Sequence, residues 1–237
     1  MPIFLRQRLR QSEWMDAVNV DPRDLEHSLA FIRLINASLG YTWATIRHLQ
    51  HFSRHWKPGQ RIEILDVATG SADIPRAILD WARQRNFDLH IVALDRHALT
   101  VRAAARGRAQ RRLRIIQADA FAMPFAPGSF DYVLCANFLH HLDDADACSA
   151  LASMARLARR GIIIADLLRD WRAYLWICLL TIFARPIVRH DAKASVAQAF
   201  TAPEILALRD QAGLDFAQLH LHFAHRFVLA GEKAAVG

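Results

Sequence analysis

Ile64-Leu-Asp-Val-Ala-Thr-Gly-Ser-Ala-Asp-Ile-Pro75 is a short apolar run that ends in an acid and a cluster of small residues before turning helical. That succession predicts a buried strand, a tight turn over Ala68, Gly70, Ser71 and Ala72, and a helix from Ile74. Small residues in such a turn let a ligand approach the backbone closely. The following helix N-terminus offers it unpaired N–H groups. Taken alone the turn is also compatible with a dinucleotide site. A pyrophosphate would, however, meet the like charge of Asp73, so hydride transfer on a nicotinamide cofactor is the weaker reading.

The same rhythm continues on both sides of this stretch. Apolar runs at Ile62–Ala68, Leu89–Leu94, Leu113–Gln117, Tyr132–Ala136 and Gly161–Ala165 alternate with helical stretches at Ile74–Arg85, Ala98–Arg108 and Ala145–Arg159. Strands spaced by helices of ten to fifteen residues build a parallel sheet covered on both faces. Upstream, residues 1–58 read as a helical preface. Asp21-Pro22 starts one helix, Gly40 stops it, a second runs from Thr42 to about His55, and Lys57-Pro58-Gly59-Gln60 is a turn. Downstream, residues 167–200 interrupt the alternation with the uncharged run Ala173–Ala184, then Arg185-Pro186, and read as a helical cap insertion. Thr201-Ala202-Pro203-Glu204 is a capping box opening a helix that Gly213 closes. Leu214–Leu221 and Phe223–Ala230 are expected as the last two strands. The expected fold is therefore α/β, a Rossmann-like, mostly parallel seven-stranded sheet over residues 59–237, with the preface before it and the cap inserted.

The 237 residues are 53% hydrophobic and 22% charged, with 9 Gly and 8 Pro, which excludes a disordered or low-complexity chain. Cys135, Cys148 and Cys178 are widely spaced, without a CxxC pair or a metal-ligand pattern, so no disulfide framework and no metal site are expected. Arg6, Arg8 and Arg10 break the N-terminal apolar residues, no signal peptide is read, and a cytoplasmic location is expected. Arginine dominates the net charge of +7, with 27 arginines against three lysines. Ala173–Ala184 is too short to span a bilayer yet long enough to touch one, so peripheral contact with the inner membrane face is an expectation.

The carboxyl ends of the strands carry the candidate chemistry. Asp95, at the end of the second apolar run, can accept both hydrogen bonds of a ribose diol, and Asp119 after the third can receive an exocyclic amine. Then follow Met123-Pro-Phe125, Gly128-Ser-Phe-Asp131, the strand to Ala136, Asn137 and His140-His141-Leu142.

This order resembles the class I S-adenosylmethionine-dependent methyltransferases. Asp66–Ile74 is similar in particular to the ubiquinone/menaquinone C-methyltransferases and related enzymes acting on polyketide-derived phenols or pyrones. The resemblance is motif by motif over residues 61–167 and by pattern alone beyond. It implies S-adenosyl-L-methionine as cofactor, with Asp66, Ala68, Gly70 and Ala72 on the methionine moiety, Asp95 on the ribose hydroxyls, and Asp119 and Ala120 on adenine. Thr69, Ser71, Arg96 and Asn137 complete the implied cofactor-binding set. Two departures stand out. Ala68 and Ala72 replace the usual glycines, and His140-His141 replaces a different pair of the quinone-type enzymes.

Methyl transfer from a sulfonium needs alignment above all, and a base near neutral pH helps where the acceptor is a phenol, enol or acidic carbon. His140, His141 and, from the cap, His190 with Asp191 are the candidate bases. Loop packing is the plain alternative for each. Trp171, Tyr174, Trp176 and Phe183 are candidates for an apolar acceptor pocket or lid. His51 and His55 share a helix face but lack a third ligand, and His48, His220, His222 and His225 read as ordinary surface or lid residues. The expectation is O- or C-methylation of a hydrophobic phenolic, polyketide-like or quinol-like small molecule by a monomer or homodimer. An RNA or protein methyltransferase is the alternative that the positive charge would allow, although no nucleic-acid-binding module is read.

Overall fold

The computed structural model describes Leu5 and residues 7–234. Seven strands form one sheet in the order β3-β2-β1-β4-β5-β7-β6. They are β1 (Arg61–Val67), β2 (Asp88–Asp95), β3 (Leu113–Gln117), β4 (Phe130–Ala136), β5 (Ala158–Leu167), β6 (Gln218–His222) and β7 (Arg226–Glu232). The first five are parallel, while β7 runs antiparallel to both β5 and β6. The mostly parallel seven-stranded expectation holds. Strand order reverses between β1 and β4, and that switch opens a crevice at their carboxyl ends.

Alternating side chains of the central strands feed two cores, as the period of two requires. Val133, Cys135, Ile162 and Ile164 face helices α5 (Asp144–Leu157) and α8 (Ala202–Gln211). Tyr132, Leu134, Ile163 and Ala165 face α2 (Tyr41–Phe52) and α3 (Asp73–Gln84). Helix α4 (Ala98–Arg106) follows β2, and α1 (Pro22–Ser38) begins where Asp21 caps the N–H of Arg23. The cap is two helices, α6 (Trp171–Leu180) and α7 (Pro186–Gln198). A third small core of Val20, Leu25, Leu29, Ile187 and Val188 joins α1 to α7, so preface and cap are packed together.

Three expectations change. Residues 7–20 are not helical beyond one 3₁₀ turn at Trp14–Asp16. They form a strap along α7, where the Asp191 carboxylate accepts the Trp14 and Met15 N–H groups at 2.7 and 3.0 Å and Leu9 donates to the Ala197 carbonyl. Residues Leu214–Ala217 make a turn, with Leu214 and Ala217 buried, instead of starting β6. The final hairpin turns at residues 223–225, with Ala224 and His225 at positive φ, so β7 starts at Arg226 and not at Phe223.

Gly231 on β7 shows how closely that turn is pressed on the sheet: a Cβ there would meet the Phe216 carbonyl oxygen at 2.1 Å. Both atoms belong to backbone, so neither can swing away. Gly231→Ala is expected to destabilise the fold by about 1–3 kcal/mol or more, lowering the thermal midpoint by several degrees in a calorimetric scan. An unchanged midpoint would show that the turn moves freely.

Candidate active site

The turn after β1 is held open by its backbone. Ala68, Gly70 and Ala72 have φ of 55°, 56° and 55°, a left-handed conformation that glycine adopts freely and alanine does not. The two alanines thus hold a backbone conformation that favours glycine. Long-range hydrogen bonds hold the shape. The Thr69 N–H donates to the Leu94 carbonyl at 2.8 Å, and the Gly70 N–H donates to one Asp95 oxygen at 3.0 Å. The other Asp95 oxygen accepts from the His97 N–H at 2.9 Å. Arg76 donates to the carbonyls of Ser71 and Ala72 from below.

Asp66, Asp95 and Asp119 stand at or just beyond the ends of β1, β2 and β3. Burial pushes Asp66 up to about 7, with the neighbouring carboxylates of Asp73 and Asp95 adding to the rise and Thr69 opposing it. Burial also raises Asp95, against the two N–H groups it accepts. Asp119 accepts the Phe121 N–H at 2.9 Å, which fixes the loop after β3.

These groups line one cavity of about 1670 Å³ together with the strap, α1, α7, part of α6 and the β6–β7 hairpin. Ligand pockets commonly measure roughly 300–1,000 Å³, so this volume takes two small molecules side by side. Of the cofactor-binding residues named from the sequence, Asp66, Ala68, Thr69, Gly70, Ser71, Asp95, Arg96, Asp119, Ala120 and Asn137 border it, whereas Ala72 is buried and does not. Asn36 of α1 was not foreseen. Buried, it donates to Asp73 and accepts from the Asn137 amide, each at 3.0 Å, while Ser71 donates to the other Asp73 oxygen. This chain ties the preface to the turn and to the end of β4.

The histidines divide. His140 is buried, with Nδ1 2.7 Å from Asp166 at the end of β5 and Nε2 3.5 Å from Glu13 of the strap. Burial works against its charge, but the two carboxylates outweigh it and push His140 up to about 10. The same pairing lowers Asp166 and Glu13 despite their own burial. Held as an imidazolium, His140 has no free lone pair at neutral pH, and this corrects its reading as a base. His141 packs against it at 4.2 Å between ring centroids, is partly exposed, and has Nδ1 3.0 Å from Asp16 of the strap. His190 is corrected too. It stacks on Trp14 at 4.0 Å, pairs with Asp191 and Gln11, and is absent from the cavity wall.

Glu13, His140 and His141 bring potential metal-donor atoms within 4.8 Å of one another, although His140 is already held between two carboxylates. Glu13 and Asp16 were invisible in the sequence because their partners lie far along the chain. Of the candidate pocket aromatics, Trp176 borders the cavity, whereas Trp171, Tyr174 and Phe183 do not. His55 pairs with Glu232 and His225 lies 3.5 Å from Asp170, while His48 gathers with His220 and His222. Burial and the neighbouring rings push His48 down to about 4.

Residues 64–161 match the family described as a methyltransferase domain. That match spans the strands and turns from β1 to the start of β5. Beyond it, the chain is 35% identical over 109 residues to an uncharacterised protein of Synechococcus sp., an alignment covering 44% of this chain and 24% of that relative, so this chain matches about a quarter of the relative's length. Among solved structures, it is similar to a SAM-dependent methyltransferase from Aquifex aeolicus, with a TM-score of 0.62 at 14% identity over 90% of this chain and 99% of that one. The plantazolicin methyltransferase BpumL in complex with SAH gives 0.70 at 9% identity, over 94% and 95%. Magnesium protoporphyrin IX methyltransferase from Synechocystis PCC 6803 with bound SAH gives 0.57 at 15%, over 82% and 84%. At these identities the likeness is one of fold, and the methyltransferase domain carries it.

His140, charged when folded up to about pH 10, stabilises the fold fully below its unfolded value near 6.5, and that contribution fades as pH rises toward 10. Asp166 and Glu13 act oppositely, losing their contribution as acid protonates them below about pH 4. The stability gap between the native protein and His140→Gln is therefore expected to narrow from pH 6.5 to pH 10 in urea unfolding. A gap constant over that range would mean a neutral ring.

Proposed function

We propose that the protein transfers a methyl group from S-adenosyl-L-methionine to a hydrophobic small molecule. The observation that carries this is one cavity bordered both by three carboxylates and a left-handed turn and by apolar cap residues. The donor set suits the cofactor. Asp66 lies where an ammonium group would restore its ionised form, Asp95 keeps lone pairs beyond the two N–H groups it accepts, and Asp119 and Ala120 border the adenine end. The cofactor supplies an electrophilic methyl on a sulfonium.

The chain's own residues supply alignment and a base. Asn137, fixed by Asn36, borders the cavity at the end of β4. With its Nδ1 beside Asp16, His141 keeps Nε2 to take a proton from an acceptor hydroxyl or acidic carbon. Trp176, Ile177 and Leu180 of the cap, with Leu221 and Phe223, give the acceptor apolar walls, which favours phenolic, polyketide-like or quinol-like compounds. A macromolecular acceptor has less support: the exposed Arg102, Arg106, Arg111, Arg112 and Arg114 gather around the end of α4 and the start of β3, and none of them borders the cavity. Among the described residues no helix is long and apolar enough to cross a membrane.

Calorimetric titration with S-adenosylhomocysteine is expected to give micromolar binding that Asp95→Ala abolishes. Absence of heat with the native chain would remove the assignment. Once an acceptor is found, Asp16→Ala is expected to lower kcat by about 10–100-fold, with the affinity for S-adenosylhomocysteine unchanged. A kcat equal to the native one would free His141 from the role of base.

A further inference from the structure

We propose that helix α6 and the tip of the β6–β7 hairpin form a docking face for an anionic lipid bilayer, and that the acceptor end of the cavity opens into it. A helix of a soluble domain ordinarily buries one apolar stripe. Helix α6 buries no residue at all, although all ten of its positions except Arg172 are apolar or aromatic. Trp176 is 63% exposed, and Phe183 just beyond the helix is 100% exposed. Leu175, Leu179 and Ile182 stand out beside them. Across the mouth, Leu221 and Phe223 are 65% and 82% exposed. Side chains this large left in water over a contiguous face mark a surface with a partner.

Two observations select a bilayer as that partner. From Trp171 to His190 the chain carries Arg172, Arg185 and Arg189 and no carboxylate, so exposed arginines flank the apolar run, with Asp170 2.9 Å from Arg172 and Asp24 3.8 Å from Arg185. Aromatic residues cluster at its start, as Trp171, Tyr174 and Trp176, and such amphipathic rings settle at headgroup depth. The helix is too short to cross and suits lying in the interfacial plane, held by buried apolar area and by attraction to anionic headgroups. A second copy packed on the same face would bring like-charged arginines toward each other. The cavity gives the face a purpose: Trp176, Leu180, Leu221 and Phe223 belong both to the exposed patch and to the cavity wall. A lipid-soluble acceptor would enter from the bilayer without crossing water. The entry route rests on the reading of the cavity as a methyl-transfer site; the docking does not.

The test uses the full chain and vesicles of phosphatidylcholine alone or mixed with phosphatidylglycerol, separated by sedimentation. The native protein is expected to sediment with the mixed vesicles, less so with phosphatidylcholine alone or at high salt. The double variant Leu179→Ser/Phe183→Ser, whose side chains do not border the cavity, is expected to lose at least about tenfold in partitioning. Its affinity for S-adenosylhomocysteine should stay native, which reports an intact fold and separates this test from that of the activity. A native protein that stays in the supernatant, or a double variant that sediments equally well, overturns the proposal. A dimer in light scattering that the double variant abolishes, without vesicle binding, would assign the face to a second copy instead.

Discussion

Between the ends of β4 and β5, the His140 ring is held by two carboxylates that lie far apart in the chain. Asp166 belongs to the sheet and Glu13 to the strap, and neither could be buried as an anion without the imidazolium between them. Ser195 and Gln198 of α7 donate to the same Glu13 carboxylate. One buried charge cluster thus registers strap, cap and sheet against each other. A pair of this kind adds little net stability over an apolar core, yet breaking it is costly, so it acts chiefly by fixing one arrangement.

The strap inherits its place from that cluster and passes it on. Arg8 reaches the Leu142 and Gln198 carbonyls and Asp144, and its guanidinium lies 3.4 Å from the centre of the Phe200 ring. Asp16 then arrives beside His141, and Asn36 arrives beside Asn137 from the helix that follows. The cofactor-side turn is in this way linked to the acceptor side through the N-terminal segment, not only through the sheet. A parallel sheet supplies the carboxylates at its edge; the preface and cap enclose the space above them.

The sheet was legible in the sequence because its rules are local. Apolar runs separated by helical stretches placed the first five strands within a few residues, and the acids at their ends placed Asp66, Asp95 and Asp119 on one cavity. The capping box at Thr201 and Glu204 formed as read. What escaped depends on contacts distant in sequence. The strap has no helical period of its own and takes its hydrogen bonds from Asp191, so nothing near residues 7–20 announces its path. His140 looked like a base because its spacing showed the loop and hid the two carboxylates. Asn36 sat unremarked on a helix face whose apolar neighbours carried the pattern. The shortened β6 follows from the turn at Leu214–Ala217, whose apolar residues mimic a strand.

The place of β7 in the sheet also has a consequence for how the chain reaches this state. It is the last strand of the described chain, yet it lies between β5 and β6 and pairs with β5 along seven consecutive residues. Until it arrives, β5 presents an unpaired edge rich in Ile162, Ile163 and Ile164, the kind of template on which chains aggregate. During synthesis the parallel half can assemble early, but the sheet closes only after cap, α8 and β6 have all emerged. Folding is therefore set by a late, long-range insertion, and the growing chain is most vulnerable in the interval before β7 is released from the ribosome.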